Sequence, residues 1–350
     1  MEAIQNLDEQ YHAYSVANQK FADVVAQEYQ DGDLVWIHDY HLMLLPRMVK
    51  QMKPDANIGF FFHTPFPSSE IYRTLPSRKE LLRGVLSSTL LGFHTHDYQR
   101  HFQSACSRVL GASITSHIVR HENQVSFLGT FPIGIDPDKF LESMKNPDTI
   151  SQINQFKQQF NGRKVLIGID RLDYIKGIYN KLLGLERFLE QHPEWVGKVV
   201  LVQVAVPSRT DVPEYIRLRR TTHELVARIN GRFGDITTQP IHYLDQSVQF
   251  DRMVALYRMS DAALITSIRD GMNLVAFEYV VSQKDQSGAL ILSEFAGGAQ
   301  SLGAGCIQFN PWSLQEVADA IHIALTLGMY MLICCSSYTI SFTNNLIYYT

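Results

Sequence analysis

The sequence predicts an α/β protein of two doubly wound domains, and three observations carry that expectation. Its 350 residues exceed one ordinary domain of roughly 100–200 residues and fit about two. Apolar runs of strand length alternate with helical stretches, the pattern of parallel sheets covered by helices on both faces. Hydrophobic residues make up 45% of the chain and charged residues only 19%, below the roughly 25% usual in globular domains, which fits well-buried sheets.

The elements follow in order. Tyr14, Ala17, Phe21 and Val24 recur at helical spacing and mark a first helix. Strand-like runs lie at Leu34–Ile37, Ile58–Phe62, Leu91–His94, Val165–Ile169, Val199–Val206, Ile241–Leu244, Ala262–Thr266, Ala289–Leu292 and Cys306–Phe309. They read as continuous apolar runs rather than alternations, as strands buried on both faces do. Helical patterns occupy 78–90, 96–110, 174–191, 211–230, 248–258, 274–284 and 313–327. A polar, helical stretch from 137 ends in Asn161-Gly162, and the fresh strand RKVLIGID follows. The domain boundary is therefore placed at 160/161, and no internal repeat or low-complexity tract appears.

Composition narrows the function. With 31 Lys plus Arg against 35 Asp plus Glu, the net charge of −4 argues against a general binder of nucleic acid or membrane surfaces. Cys106, Cys306, Cys334 and Cys335 form no zinc spacing and fit a reduced, cytoplasmic chain. The N-terminal MEAIQNLDEQYHAY lacks the basic and apolar regions of a signal peptide. Residues 329–350 carry no charge, and polar residues interrupt them, which makes a poor membrane span.

In doubly wound sheets, ligands bind at the carboxyl ends of the strands. After Val165–Ile169, Arg171 and Lys176 share one strand-to-helix loop and could hold a diphosphate; a surface loop salt-bridged to Asp170 and Asp173 is the bland alternative. After Ala262–Thr266, Asp270 and Gly271 precede a helix starting near Asn273, whose free N–H groups suit a phosphate. Glu278 lies a turn further on, placed like Asp270 to accept hydrogen bonds from ligand hydroxyls; an ordinary turn and an exposed helical acid are the alternatives. Arg209 follows Val199–Val206 directly. Asp39 and His63 follow the first two strands. Eight of the 13 histidines fall between His38 and His121, yet HxxH at His38 and His41 lacks the acid of a zinc motif. No metal site is expected, and no P-loop or nucleophile elbow is present. A phosphorylated or nucleotide ligand fits these residues, and the chemistry stays open on them alone.

Eight motifs then resemble trehalose-6-phosphate synthase: WIHDYHLMLLP (36–46), FFHTPFPSSEIYRTLP (61–76), GFHTHDYQRHF (92–102), GIDRLDYIKGI (168–178), AVPSRTDVPEY (205–215), RINGRFG (228–234), RDGMNLVAFEYV (269–280) and LSEFAGGAQSLGAG (292–305). They stand in family order, and the resemblance covers about Tyr11 to Leu327. The resemblance implies the glycosyltransferase B fold, two Rossmann-like domains facing a cleft. It implies transfer of glucose from UDP-glucose to glucose 6-phosphate with retention, without metal or other cofactor. Arg171 and Lys176 match the cations on the donor diphosphate, and Leu274 and Val275 match N–H donors at the helix start. Glu278 matches the ribose acid, Asp270 with the Gly271, Met272 and Asn273 backbone the hexose clamp, and Val248 a backbone contact near the nucleotide. His63 matches the residue at the transferred glucose, Asp39 an acceptor hydroxyl contact, and Arg209 the acceptor phosphate side. On this reading His63, Asp39, Arg171 and Lys176 are the catalytic set.

Residues 1–160 are then expected to form the acceptor-side domain, 161–328 the nucleotide-sugar domain and 329–350 an atypical tail. Relative to the family, the chain starts after a strand, an Arg-bearing turn, a Gly-Gly loop and an aromatic stretch. An incomplete first domain with an exposed sheet edge, prone to aggregate, is expected. The tail looks like translated non-coding or aberrantly spliced sequence, with a membrane anchor the weaker alternative. A homo-oligomer or a synthase–phosphatase complex is the assembly expected, and no phosphatase domain follows. The competing function is a non-catalytic regulatory or sugar-phosphate-sensing relative. A phosphorylase or metal hydrolase fails on motifs.

Overall fold

The computed structural model describes residues 6–326. The expected atypical tail, Cys334 and Cys335 lie outside the described residues. By its contacts the chain divides between Ile133 and Gly134 into two compact units. That is earlier than the expected 160/161, because the polar helices that follow Gly134 pack within the second unit, against the helices on its sheet.

The first unit opens with α1 (Leu7–Glu28), β1 (Leu34–His38), α2 (Leu45–Met52) and β2 (Asn57–Phe62). The short α3 (Ser69–Tyr72), α4 (Arg78–Val85), β3 (Leu90–Phe93) and α5 (His96–Leu110) follow, then β4 (Ser113–Thr115), β5 (Ile118–His121) and β6 (Gln124–Thr130). The sheet order is β1-β2-β3-β6-β5-β4. The pairs β1/β2, β2/β3 and β3/β6 are parallel, while β4/β5 and β5/β6 are antiparallel. The sheet is therefore mixed. The antiparallel meander escapes sequence reading because its strands are short and interrupted by charge, as in Arg120, His121 and Glu122. Helix α1 turns Asn18 and Ala22 inward, while Phe21 and Val24 face out. Strand β1 lies at one edge of the sheet, and Leu34 and Trp36 on it are exposed.

The second unit starts with α6 (Pro137–Ser143) and α7 (Pro147–Phe160). Then come β7 (Lys164–Arg171), α8 (Ile178–Gln191), β8 (Val199–Val206), α9 (Pro213–Phe233), β9 (Ile241–Leu244) and α10 (Phe250–Met259). Next are β10 (Ala262–Ile265), α11 (Leu274–Ser282), β11 (Ala289–Ser293), α12 (Gly298–Leu302), β12 (Ile307–Phe309) and α13 (Leu314–Thr326). All its strand pairs are parallel, in the order β12-β11-β10-β7-β8-β9. Read from the other edge, this is the third, second and first strands of the unit, then the fourth, fifth and sixth: the dinucleotide-fold order. The strand order reverses between β7 and β10, where such sheets bind ligands. Both faces are covered: Leu182, Leu185, Phe188, Ile229 and Ile321 pack on one, Phe156, Leu256, Tyr257, Phe277 and Tyr279 on the other.

Candidate active site

The switch point carries the predicted donor residues. Strand β7 ends at Arg171, and a short 3-10 turn, Tyr174–Lys176, leads to Gly177 in the left-handed region at φ 63°. A β-carbon there would lie 2.1 Å from the Thr266 carbonyl oxygen, so only glycine lets the loop after β7 press against the end of β10. Thr266 Oγ1 donates to the Gly177 carbonyl at 3.0 Å, and Ile268 N donates to the Ile175 carbonyl at 2.8 Å. Stapled in this way, Lys176 Nζ donates to Asp270 Oδ2 at 2.6 Å, with both side chains nearly buried.

Asp270 is held from its own loop as well. Its Oδ2 accepts from Asn273 Nδ2 at 2.8 Å and Ser267 Oγ at 3.1 Å, and its Oδ1 accepts from Gly271 N at 2.9 Å. Asn273, at φ 58°, caps α11 by accepting from Ala276 N at 3.2 Å. Leu274 and Val275, the first helical residues, have N–H groups with no intrahelical acceptor. Those N–H groups and the helix dipole favour an anion at this end. Met272 is buried in the core, so it offers the site only its backbone.

One turn into α11, Glu278 accepts from Tyr257 OH at 2.9 Å. Tyr257 is wholly buried, so the bond fixes one carboxylate oxygen of Glu278. Burial raises the carboxyl of Glu278 above its ordinary range, opposed by the Tyr257 hydrogen bond and by Lys139. Val248 sits half-buried ahead of α10 against the core. Beyond β8, Arg209 adopts φ 50°, donates to Tyr215 OH at 3.1 Å and lies over the Tyr215 ring.

In the first unit, the predicted residues gather at the carboxyl ends of β1 and β2. Asp39 takes φ 64° just past β1, and its Oδ1 accepts from Thr64 Oγ1 at 2.8 Å and Thr64 N at 3.3 Å. Helix α1 supports the loop: Tyr14 OH donates to the Tyr40 carbonyl and accepts from Met43 N, each at 2.8 Å. His63 follows β2, its Nε2 lying 3.0 Å from His38 Nδ1. Desolvation lowers the His63 pKa; Asp39 opposes this and His38 adds to it.

Ser267, Tyr257, Lys181 and Gln203 support the site without a signal in the sequence. Lys181 Nζ donates to Asp170 Oδ2 at 2.6 Å, and Gln203 Nε2 to the same oxygen at 3.0 Å, all three residues buried. Among the described residues, the metal-donor group found is His192, Glu194 and His322. The two imidazoles stack at 3.9 Å with planes 7° apart. Their in-plane lone pairs therefore run side by side and cannot both meet one ion at about 2.0–2.1 Å.

Two sheets rich in parallel strands, with polar residues gathered at their carboxyl ends, make this a protein of the glycosyltransferase B fold. The chain belongs to glycosyltransferase family 20, whose sequence model matches residues 2–330. It is 57% identical over 322 residues to an Aspergillus fumigatus alpha,alpha-trehalose-phosphate synthase (UDP-forming), covering 91% of this chain and 62% of that one. The Burkholderia xenovorans synthase solved with glucose-6-phosphate superposes with a TM-score of 0.92 at 30% identity, covering 97% of this chain and 75% of that one. The E. coli protein bound with UDP-2-fluoro glucose gives a TM-score of 0.89 at 32% identity, covering 96% and 74%. The chain spans 34% to 64% of the length of the curated relatives it matches. No helix among the described residues is long and apolar enough to cross a membrane.

Proposed function

We propose that this chain is a retaining hexosyltransferase that moves glucose from UDP-glucose to glucose 6-phosphate, giving trehalose 6-phosphate and UDP. The observation that carries the reading is the Lys176–Asp270–Asn273 network at the β7/β10 switch point, whose Asn273 caps the N-terminus of α11. Arg171, Lys176 and the N–H groups of Leu274 and Val275 take the diphosphate and stabilise the charge that grows as UDP departs. Asp270, with the backbone of Gly271, Met272 and Asn273, clamps the hexose. Glu278 takes the ribose hydroxyls, and Val248 lines the nucleotide side.

Asp39 and Arg209 serve the acceptor hydroxyls and phosphate, and His63 meets the transferred glucose. In the step itself the anomeric carbon–phosphate oxygen bond breaks and the acceptor oxygen bonds from the same face. The acceptor proton passes to the departing phosphate. The first unit, up to Ile133, acts as the acceptor side and the second, from Gly134, as the donor side, in a cytoplasmic homo-oligomer or synthase–phosphatase complex. The relatives' names and the two ligands in the neighbouring structures support this reading.

The test is UDP release from UDP-glucose, with and without glucose 6-phosphate. Acceptor-dependent release is expected. UDP binding with no acceptor-dependent release would refute transfer while leaving the donor site standing.

A further inference from the structure

We propose that Thr64 is a positioning residue: it holds Asp39 in a strained backbone conformation that turns the carboxylate away from its own helical turn and presets Oδ2 for an acceptor hydroxyl. The inference rests on the reading that places Asp39 at the acceptor.

The strain lies in the backbone. Asp39 leaves β1 at φ 64° and ψ 173°. That ψ is far from the left-handed helical value of about +47° that an aspartate tolerates, in a region populated almost only by glycine. Capping does not account for it. Asp39 directly precedes the 3-10 turn Tyr40–Leu42, where an aspartate ordinarily bends its side chain back onto a free N–H of the turn. Its carboxylate makes no such bond and reaches across to Thr64, 25 residues on.

Two anchors hold the strained residue, and both come from the neighbouring strand and its end. Strands β1 and β2 run parallel with His38 opposite Phe61, and the N–H of Asp39 donates to the Phe61 carbonyl at 2.8 Å. Thr64 stands two residues past the end of β2 and gives Asp39 Oδ1 two bonds, from Oγ1 at 2.8 Å and from N at 3.3 Å. The direction of this clamp is settled by chemistry, because a backbone N–H can only donate and Oδ1 must accept. Oδ2 has no hydrogen bond among the described residues. Both side chains are half-buried. With the backbone and one oxygen pinned, the carboxylate is ordered before any ligand arrives, so binding at Oδ2 loses little side-chain freedom. Thr64 Oγ1 gives its one hydrogen to Asp39 and acts through it.

Two measurements test this. The first is thermal unfolding of two variants that both lose the carboxylate. Only glycine is at ease at these angles, so Asp39→Gly should melt at least about 3 °C above Asp39→Ala. The second is acceptor-dependent UDP release, with UDP affinity by calorimetry as its control. Thr64→Val keeps the shape of the side chain and loses the hydroxyl. It should lower kcat/KM for glucose 6-phosphate about tenfold and leave the Kd for UDP within about twofold, and Thr64→Ser should recover to within about threefold of wild type. An Asp39→Ala protein as stable as Asp39→Gly, an unchanged kcat/KM in Thr64→Val, or a Thr64→Ser no better than Thr64→Val overturns the proposal. Should the wild type bind UDP without transferring glucose, the functional reading fails and takes the acceptor role with it, while the melting comparison still decides whether Asp39 is held under strain.

Discussion

Replacing Lys181 with methionine removes a buried charge from beside the end of β7 while keeping the length of the side chain. Lys181 Nζ lies 2.6 Å from Asp170 Oδ2, and neither side chain is measurably open to solvent beyond 3%. A β-carbon on Gly168 would lie 2.5 Å from that ammonium, so β7 leaves room for it. Removing one partner of a buried pair costs about 3–5 kcal/mol, because the remaining charge is stranded. Gln203 still donates to Asp170, which places the loss near the lower end, about 3 kcal/mol. For a unit of this size that is a fall in Tm of roughly 6–12 °C. Thermal unfolding followed by circular dichroism measures it. The charge-free pair Asp170→Leu with Lys181→Met should recover to within about 1 kcal/mol, since well-packed apolar replacements of buried pairs are often neutral. A single variant within about 1 kcal/mol of wild type, or a double variant no better than the single, would refute the account.

Lys176→Ala leaves Asp270 its bonds to Asn273, Ser267 and Gly271, so the loop holds while the point charge is lost. UDP affinity by calorimetry should fall about 10- to 150-fold, from about 1.5–3 kcal/mol for a charged hydrogen bond, and an unchanged Kd sinks the role given to Lys176. Glu278 binds its proton more tightly in the folded chain than in the unfolded one, because burial raises its pKa. Its stabilising contribution is thus present at acid pH and is lost as pH rises through the raised value. Glu278→Gln, which cannot ionise, should gain Tm relative to wild type between about pH 4 and about pH 7, and a gap that narrows over that range contradicts the shift. Gly177→Ala forces a β-carbon against the Thr266 carbonyl at positive φ and should cost at least about 2 kcal/mol; an unchanged Tm would show the left-handed turn unnecessary.

The parallel strands were legible because runs such as Ala289–Leu292 are apolar throughout, and burial on both faces demands that. Helices ending in a clear cap were legible too: Thr95 opens α5 and Gly111 closes it at φ 68°. What local pattern cannot show is a partner distant in sequence. Tyr257 reads as one more core aromatic until the fold brings its hydroxyl to Glu278, 21 residues on. Gln203 interrupts an otherwise apolar strand, and only the pairing of β7 with β8 shows that it answers Asp170. The 174–191 helical pattern likewise hides the break at Gly177, since nothing local reports the Thr266 carbonyl pressing on it.

The loop after β7 shows why a surface salt-bridge reading stood ahead of a phosphate-site reading on residues alone. Asp170, Arg171, Asp173 and Lys176 alternate in sign, and on a solvated loop they would neutralise one another. The fold turns each acid elsewhere. Asp170 points inward to Lys181 and Gln203, and Asp173 caps the 3-10 turn by accepting from Ile175 N at 3.2 Å. Arg171 is left exposed, with no ion pair among the described residues. Lys176 is held by Asp270 at 2.6 Å, from the loop after β10. Asp170→Asn should therefore leave the charge at Arg171 unchanged and weaken UDP binding only through the loop's position. Restored affinity on pairing it with Lys181→Met, which removes the stranded ammonium, would confirm that route, and a loss that persists in the stable double variant would place Asp170 on the ligand itself.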